Sequence, residues 1–286
     1  MLRIHALGGL SVSREGQPAS GSGARRRPLA LLSLLAVGAR RGVSRDRILA
    51  YLWPEADEAH ARGVLRQTVC ALRRDLGHPD LLIGKTELSL NPEIVTSDID
   101  EFATACDRGE HEVAIALYSG PFLDGFHLAD APEFEEWADR ERQHLRRQAL
   151  IALATAANRA DKRGEHEVAV AWWWRATELD PLSSRVALGL MRALVSSGDN
   201  ALALPHAKAH DALLRDEVGT ARDPAVAAFA DEIRASSGGE RSISRAQPGK
   251  RGFSAPDRHA LPVDEPLHLR SGLIPARHRP DVFRRA

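Results

Sequence analysis

Apolar residues recur at helical spacing through residues 57–77. Leu65, Val69, Leu72 and Leu76 fall at i, i+4, i+7 and i+11 and share one stripe. Arg62, Arg66 and Arg73 lie beside that stripe, and Gln67 and Arg74 sit further round the polar face. Asp57 suits the N-cap and Gly77 the C-terminal stop. Upstream, residues 45–52 read as a short helix capped by Ser44, with Ile48, Leu49 and Leu52 on its apolar side. Trp53 and Pro54 close it, and residues 54–57 turn the chain into the arginine-bearing helix. Helix, tight turn and basic amphipathic helix is the layout of a helix-turn-helix. Residues 29–37 predict one more helix before it. Residues 2–7 and 10–14, split by Gly8 and Gly9, predict short opening strands. Residues 81–83 and 88–90 are apolar arms around Gly84, Lys85 and Thr86, a hairpin placed where a wing would follow the helix-turn-helix.

Beyond residue 97 the pattern is helical and repeats itself. RGEHEVA occurs at residues 108–114 and again at 163–169, and a looser copy, GDNALAL, begins at Gly198. Gly164 and Gly198 are 34 residues apart, which is the tetratricopeptide period. In each copy the glycine ends one helix and the acidic pair opens the next. Helices are expected near 98–108, 110–119, 132–161, 164–179, 183–196, 199–216 and 224–235. Stacked helix pairs of this kind bury a continuous core and leave a concave face. Of Trp172, Trp173 and Trp174, at most two can be core, since adjacent residues on a helix point in different directions. The third is expected at a helix seam or a protein contact. Phe134 and Trp137 are expected in the core. After Ser236 the periodicity stops in a stretch rich in Pro, Gly, Arg and His, which is expected to be disordered.

The net charge of zero hides a segregation. Residues 1–100 carry 14 Lys/Arg against 11 Asp/Glu, residues 101–240 carry 15 against 24, and residues 241–286 carry 10 against 4. A basic front suits DNA, and an acidic middle is better suited to protein contacts. The two cysteines, Cys70 and Cys106, cannot build a disulfide framework or a zinc cage, so a reduced, cytoplasmic chain is expected. The apolar run at 29–37 is too short to span a bilayer and too far from the N-terminus for a secretory signal, so no membrane association is expected.

The chemistry of the basic helix is that of a major-groove reader. Arginine can bond guanine O6 and N7 as a fork, and glutamine can pair with adenine N6 and N7. Arg66 and Gln67 are the candidates for base reading. Arg73, Arg74 and Lys85 are the candidates for phosphate positioning, and Thr86 beside Lys85 could also touch a phosphate backbone from the wing. Gly84-Lys85-Thr86 matches the end of a phosphate-binding loop, but Pro79 stands where the first glycine is required and no helix follows. His206 and His210 are four apart on a helix without a Cys or acidic partner of ligand spacing, and are expected as a surface pair. No catalytic constellation, metal cluster or cofactor motif is found, so the chain is not expected to be an enzyme, and no cofactor or metal is expected.

Several segments together resemble the antibiotic regulatory protein (SARP-like) family of bacterial transcriptional activators. They are VSRDRILAYLWPE (43–55), ARGVLRQTVCALRRDLG (61–77), YSGPFLDGF (118–126), FEEWADRERQHLR (134–146), RGEHEVAVAWWWRATELDPL (163–182) and LLRDEVGTARDPAV (213–226). They occur in family order over about residues 1–236. The resemblance implies a winged helix joined to a bacterial transcriptional activator domain. It also implies activation from repeats upstream of promoters and contact with RNA polymerase. By position, Arg62, Arg66, Gln67, Arg73 and Arg74 would lie on the recognition helix, and Lys85 and Thr86 in the wing. No ATPase or sensor sequence follows, so a short form of the family, or a piece of a longer regulator, is expected.

The chain is therefore expected to be mainly α. Its expected parts are a winged helix-turn-helix with small β-sheets at 1–97, a tetratricopeptide-like domain at 98–236 and a disordered basic tail at 237–286. Its expected partners are double-stranded DNA, RNA polymerase and a second copy of itself on tandem half-sites. The competing reading is a helical-repeat interaction scaffold whose winged helix binds protein, and it would show no salt-dependent DNA binding.

Overall fold

The opening strands pair as the alternation of apolar and polar residues requires. In a computed structural model, which describes residues 1–19, 21, 25–38, 41–219 and 222–243, β1 (Leu2–His5) and β2 (Ser11–Arg14) run antiparallel. Leu2 and Ile4 face the core, while Arg3 and His5 point outward. A short β3 (Gln17–Pro18) extends the sheet on one side. Its other edge is taken by β7 (Val95–Ser97), which lies parallel to β1 with Leu2 opposite Val95. Parallel pairing needs a long crossover. Here the whole helix-turn-helix forms it.

That crossover contains α1 (Arg26–Val37), β4 (Val43–Ser44), α2 (Arg45–Leu52), α3 (Glu58–Asp75), β5 (Leu82–Ile83) and β6 (Glu87–Leu90). The caps fall where the sequence predicts. Ser44 Oγ accepts from the Arg47 N–H at 3.3 Å, and Asp57 Oδ1 from the His60 N–H at 3.0 Å. Ala61, Leu65, Val69 and Leu72 are the buried stripe of α3. β4, β6 and β5 form a second, three-stranded sheet, with Val43 opposite Leu88 and Leu82 opposite Leu90. The strand at 43–44 was not legible, since two residues carry no periodicity.

From residue 98 onward the helices match expectation closely. They are α4 (Asp98–Arg108), α5 (His111–Leu117), α6 (Pro132–Lys162), α7 (His166–Leu179), α8 (Ser184–Ser196), α9 (Asn200–Val218) and α10 (Pro224–Ile243). Each of α4 to α8 packs on the helix that follows it. The repeat glycines Gly109, Gly164 and Gly198 take φ of +70°, +78° and +84°. This left-handed conformation turns the chain at a helix end and favours a residue without a Cβ. The last helix runs to Ile243, past the expected start of the tail. The expectation of disorder at 244–286 lies outside the described residues.

One apolar core extends from Leu2 to Ile233, through both halves. The junction near residue 97 is crossed by specific bonds. The buried Asp98 carboxylate accepts the N–H groups of Ala6 (2.9 and 3.0 Å) and Leu7 (3.0 Å). Burial pushes its pKa above the ordinary carboxylate value, against the lowering by those N–H donors. Leu7 bridges to Phe122, and the Leu123 N–H donates to the Ala6 carbonyl at 2.9 Å. Tyr51 of α2 lies 6.0 Å, centroid to centroid, from Trp137 of α6. Arg26 donates to the His127 carbonyl, and Arg27 pairs with Asp130.

The aromatic expectations hold. Phe134, Trp137 and Trp173 are buried, Trp172 is partly buried, and Trp174 is exposed at a seam where it meets the His206 ring edge-on. The reading of His206 and His210 as a surface pair is overturned. His210 is buried between its bonds to the Pro181 carbonyl (3.1 Å) and Ser184 Oγ (3.2 Å), because α9 packs that face against α8 and the turn preceding it. His206 is largely covered, and burial lowers its pKa.

Candidate nucleic-acid interface

The exposed side of α3 and the turn between β5 and β6 face a common cleft of about 730 Å³. Its lining includes Arg62, Arg66, Arg73, Lys85 and Thr86, five of the seven residues predicted from sequence. They converge for a simple reason. Arg62, Arg66 and Arg73 fall within about 40° of one another around the helix, on the flank that looks toward the wing.

These side chains are not equivalent. Arg66 is exposed and makes no hydrogen bond or ion pair among the described residues. The side chains of Lys85 and Thr86 are likewise exposed and unbonded among the described residues. Arg62 is exposed but steered by two carboxylates, Glu58 at 2.5 Å and Asp46 at 3.5 Å. Arg73 is half-buried and donates to the Leu82 carbonyl at 2.7 Å, so it fastens α3 to the wing strand. Its Nε is buried without a partner among the described residues. Gln67 and Arg74 lie outside the cleft, on the solvent face of α3. Arg74 is paired there with Asp75 at 2.8 Å.

Backbone geometry shapes the wing turn. Gly84 has φ of +97°, and a Cβ there would collide with the Glu87 carbonyl oxygen. The Gly-Lys-Thr sequence is thus the tip of a tight hairpin, with its glycine placed for the turn.

Arg45 also lines the cleft and was not predicted from sequence. Its N–H donates to the Thr86 carbonyl (3.2 Å) and its Nε to the Lys85 carbonyl (2.6 Å), which docks the wing tip on the start of α2. A signal existed. A cation in the first helical turn opposes the helix dipole, and so calls for a partner. Gly63 and Cys70 complete the solvent face of α3 beside Gln67 and Arg74. A Cβ at Gly63 would meet nothing within 4 Å, and the Cys70 thiol is free and exposed.

No group of His, Cys, Asp or Glu among the described residues is arranged to hold a metal ion. No helix among them is long and apolar enough to cross a membrane. The cleft offers guanidinium, ammonium and hydroxyl donors on a convex helix and a hairpin tip. Such an arrangement can straddle an anionic backbone and reach acceptors between its strands.

The bacterial transcriptional activator domain family matches residues 97–234. A search of curated proteins returns no match. Among solved structures, Mycobacterium tuberculosis EmbR in complex with a low-affinity phosphopeptide is similar, with a TM-score of 0.63 and 23% sequence identity. The alignment covers 82% of this chain and 65% of that one, so this chain spans about two-thirds of that structure's length. At this identity the likeness concerns the fold.

Proposed function

We propose that this chain, whose residues 97–234 match the bacterial transcriptional activator domain family, is a SARP-like transcriptional regulator that binds promoter DNA through α3 and the wing. The observation that carries the reading is the cleft where Arg66, Lys85 and Thr86, unbonded among the described residues, stand beside Arg62. An 18-residue helix is about 27 Å long, and the major groove, about 12 Å wide, admits it. With α3 in that groove, Arg66 forks to guanine, and Gln67, the next residue on the same turn and about 100° round the helix, reads adenine. Lys85 and Thr86 hold the flanking phosphates from the wing, and Arg74 adds charge on the solvent face. Arg73 contributes by position, through the Leu82 carbonyl, more than by direct contact.

One winged helix reads a short site, so two copies bind tandem half-sites as direct repeats. The helical domain, fixed to the winged helix by Asp98 and the Tyr51–Trp137 contact, then presents an acidic surface to RNA polymerase and activates transcription in the cytoplasm. The test is selection of genomic fragments by the purified chain, with Arg66→Ala alongside. Enrichment of a repeated motif by the parent, lost or broadened in the variant, supports the reading. Equal enrichment by both, or none by either at moderate salt, removes it.

A further inference from the structure

The strongest unassigned feature lies far from the cleft, between α6 and α8. A slot of about 320 Å³ opens there, within the usual size range of small-molecule sites. Its floor is the buried Trp173, and its walls are Leu150, Ile151 and Ala154 of α6 and Val186 of α8. Trp173 is seated by a deliberate gap. Its ring presses against Gly189, where a Cβ would stand 2.5 Å away, so a residue with a side chain at 189 would collide with the indole. Ile151 stands at the mouth with 63% of its surface exposed, although it is a large aliphatic residue beside an apolar floor.

The charges at this mouth depart from the rest of the domain. Residues 101–240 are strongly acidic, with 24 Asp/Glu against 15 Lys/Arg. Most arginines around α6 and α7 are engaged. Arg142 donates to the Phe122 carbonyl, Arg146 pairs with Asp180, Arg159 donates to the Gly109 carbonyl, and Arg175 donates to the carbonyls of Ile115 and Tyr118. Arg147 and Arg185 line the slot and make no hydrogen bond or ion pair among the described residues. The carboxylate that shares the slot, Asp180, is already held by Arg146 at 2.9 Å. The slot thus combines an apolar interior with two uncommitted guanidinium groups, and Asn158 and Ser183 add polar groups at its edge.

We propose that the α6–α8 slot binds a small carboxylic acid with an apolar body, its carboxylate held by Arg147 and Arg185 and its body lying on Trp173 and Ile151. Guanidinium groups bind carboxylates through paired, charge-assisted hydrogen bonds, which a neutral head group cannot reproduce. The enclosed floor selects for an aliphatic chain or a ring. The site goes beyond the DNA-binding reading and does not depend on it. The helix that walls the slot also carries Trp137 against Tyr51 of the helix-turn-helix, so one element spans both places.

Calorimetric titration of the full chain in the absence of DNA tests this, with decanoate and 1-naphthoate as probes and decanol as the neutral control. Both acids should bind at one saturable site below their aggregation concentrations, with decanol at least tenfold weaker. The double variant Arg147→Ala/Arg185→Ala, both exposed positions, should lose at least tenfold in acid affinity while its circular dichroism and its decanol binding stay unchanged. Ile151→Ser, which removes apolar surface without adding charge, should weaken acid and alcohol alike. The proposal is overturned if neither acid saturates, if decanol binds as well as decanoate, or if the double variant binds the acids undiminished. It is also overturned if an acidic amphipathic peptide binds the slot while the small acids do not, since the surface is then a protein-docking groove. Because no DNA is present, failure here leaves the DNA-binding reading untouched, and failure of that reading leaves this one standing.

Discussion

Arginine does two different jobs in this molecule. In the cleft between α3 and the wing, Arg66 points into open space without a partner among the described residues. In the helical half, Arg175 is half-buried and closes the end of α5 by donating to the carbonyls of Ile115 and Tyr118 at 3.0 and 2.8 Å. Burial lowers the pKa of its guanidinium, as expected for a charge withdrawn from water. The front shows both kinds, since Arg26, Arg27 and Arg73 are committed to backbone or carboxylate partners while Arg66 is not. A basic segment is therefore a poor guide to a nucleic-acid surface until the committed cations have been subtracted.

The comparison can be broken first at the seam between the halves. Asp98→Ala leaves the Ala6 and Leu7 N–H groups buried without an acceptor and should cost about 3 kcal/mol of stability by urea unfolding. A raised pKa does not argue against this. A buried carboxylate is costly to keep, and costlier still to remove once its donors have no other partner. A loss well under 1 kcal/mol would show that Asp98 is not the joint. Next, Arg175→Met should cost about 2 kcal/mol, because it removes charge-assisted bonds to the last carbonyls of α5. DNA preference should not change, and a change in preference would blur the two classes of arginine.

Arg66→Ala should do the reverse. Stability should stay within about 0.5 kcal/mol, as for exposed sites, while discrimination at one base pair falls by about 1–3 kcal/mol. A selection experiment and a melting curve on the same protein separate these effects. The smallest effect is expected at Gly63, which sits in a helix interior with open space around its Cα. Gly63→Ala should raise stability by about 0.5–1 kcal/mol, and a decrease would mean that this position is not simply helical and solvent-facing.

Much of the fold was legible because its signals are local. Ser44, Asp57 and Gly77 mark helix ends within a few residues, and the repeated RGEHEVA marks its own turns, so the helix positions follow from the chain directly. What escaped depends on residues far apart. The pairing of Leu2 with Val95, the bonds from Ala6 to Asp98 and the burial of His210 behind Pro181 all need tertiary contact that no periodicity encodes. The site divides in the same way. Helical spacing alone brings Arg62, Arg66 and Arg73 to one flank, and the hairpin signal supplies Lys85 and Thr86. That Arg73 is spent on the Leu82 carbonyl, and that Arg45 docks the wing, required the two elements to be seen together.

The most direct test of the central claim is the salt dependence of binding to a fragment recovered by selection, measured for the parent, Lys85→Ala and Arg159→Ala. Arg159 serves as the committed control, because it donates to the Gly109 carbonyl in the helical half. If Lys85 meets a phosphate, its variant should flatten the slope of log K against log salt by about 0.9 and weaken all sequences alike, while Arg159→Ala leaves the slope unchanged. Equal slopes for all three proteins, or a slope altered by Arg159→Ala and not by Lys85→Ala, would contradict the account and move the interface away from the wing.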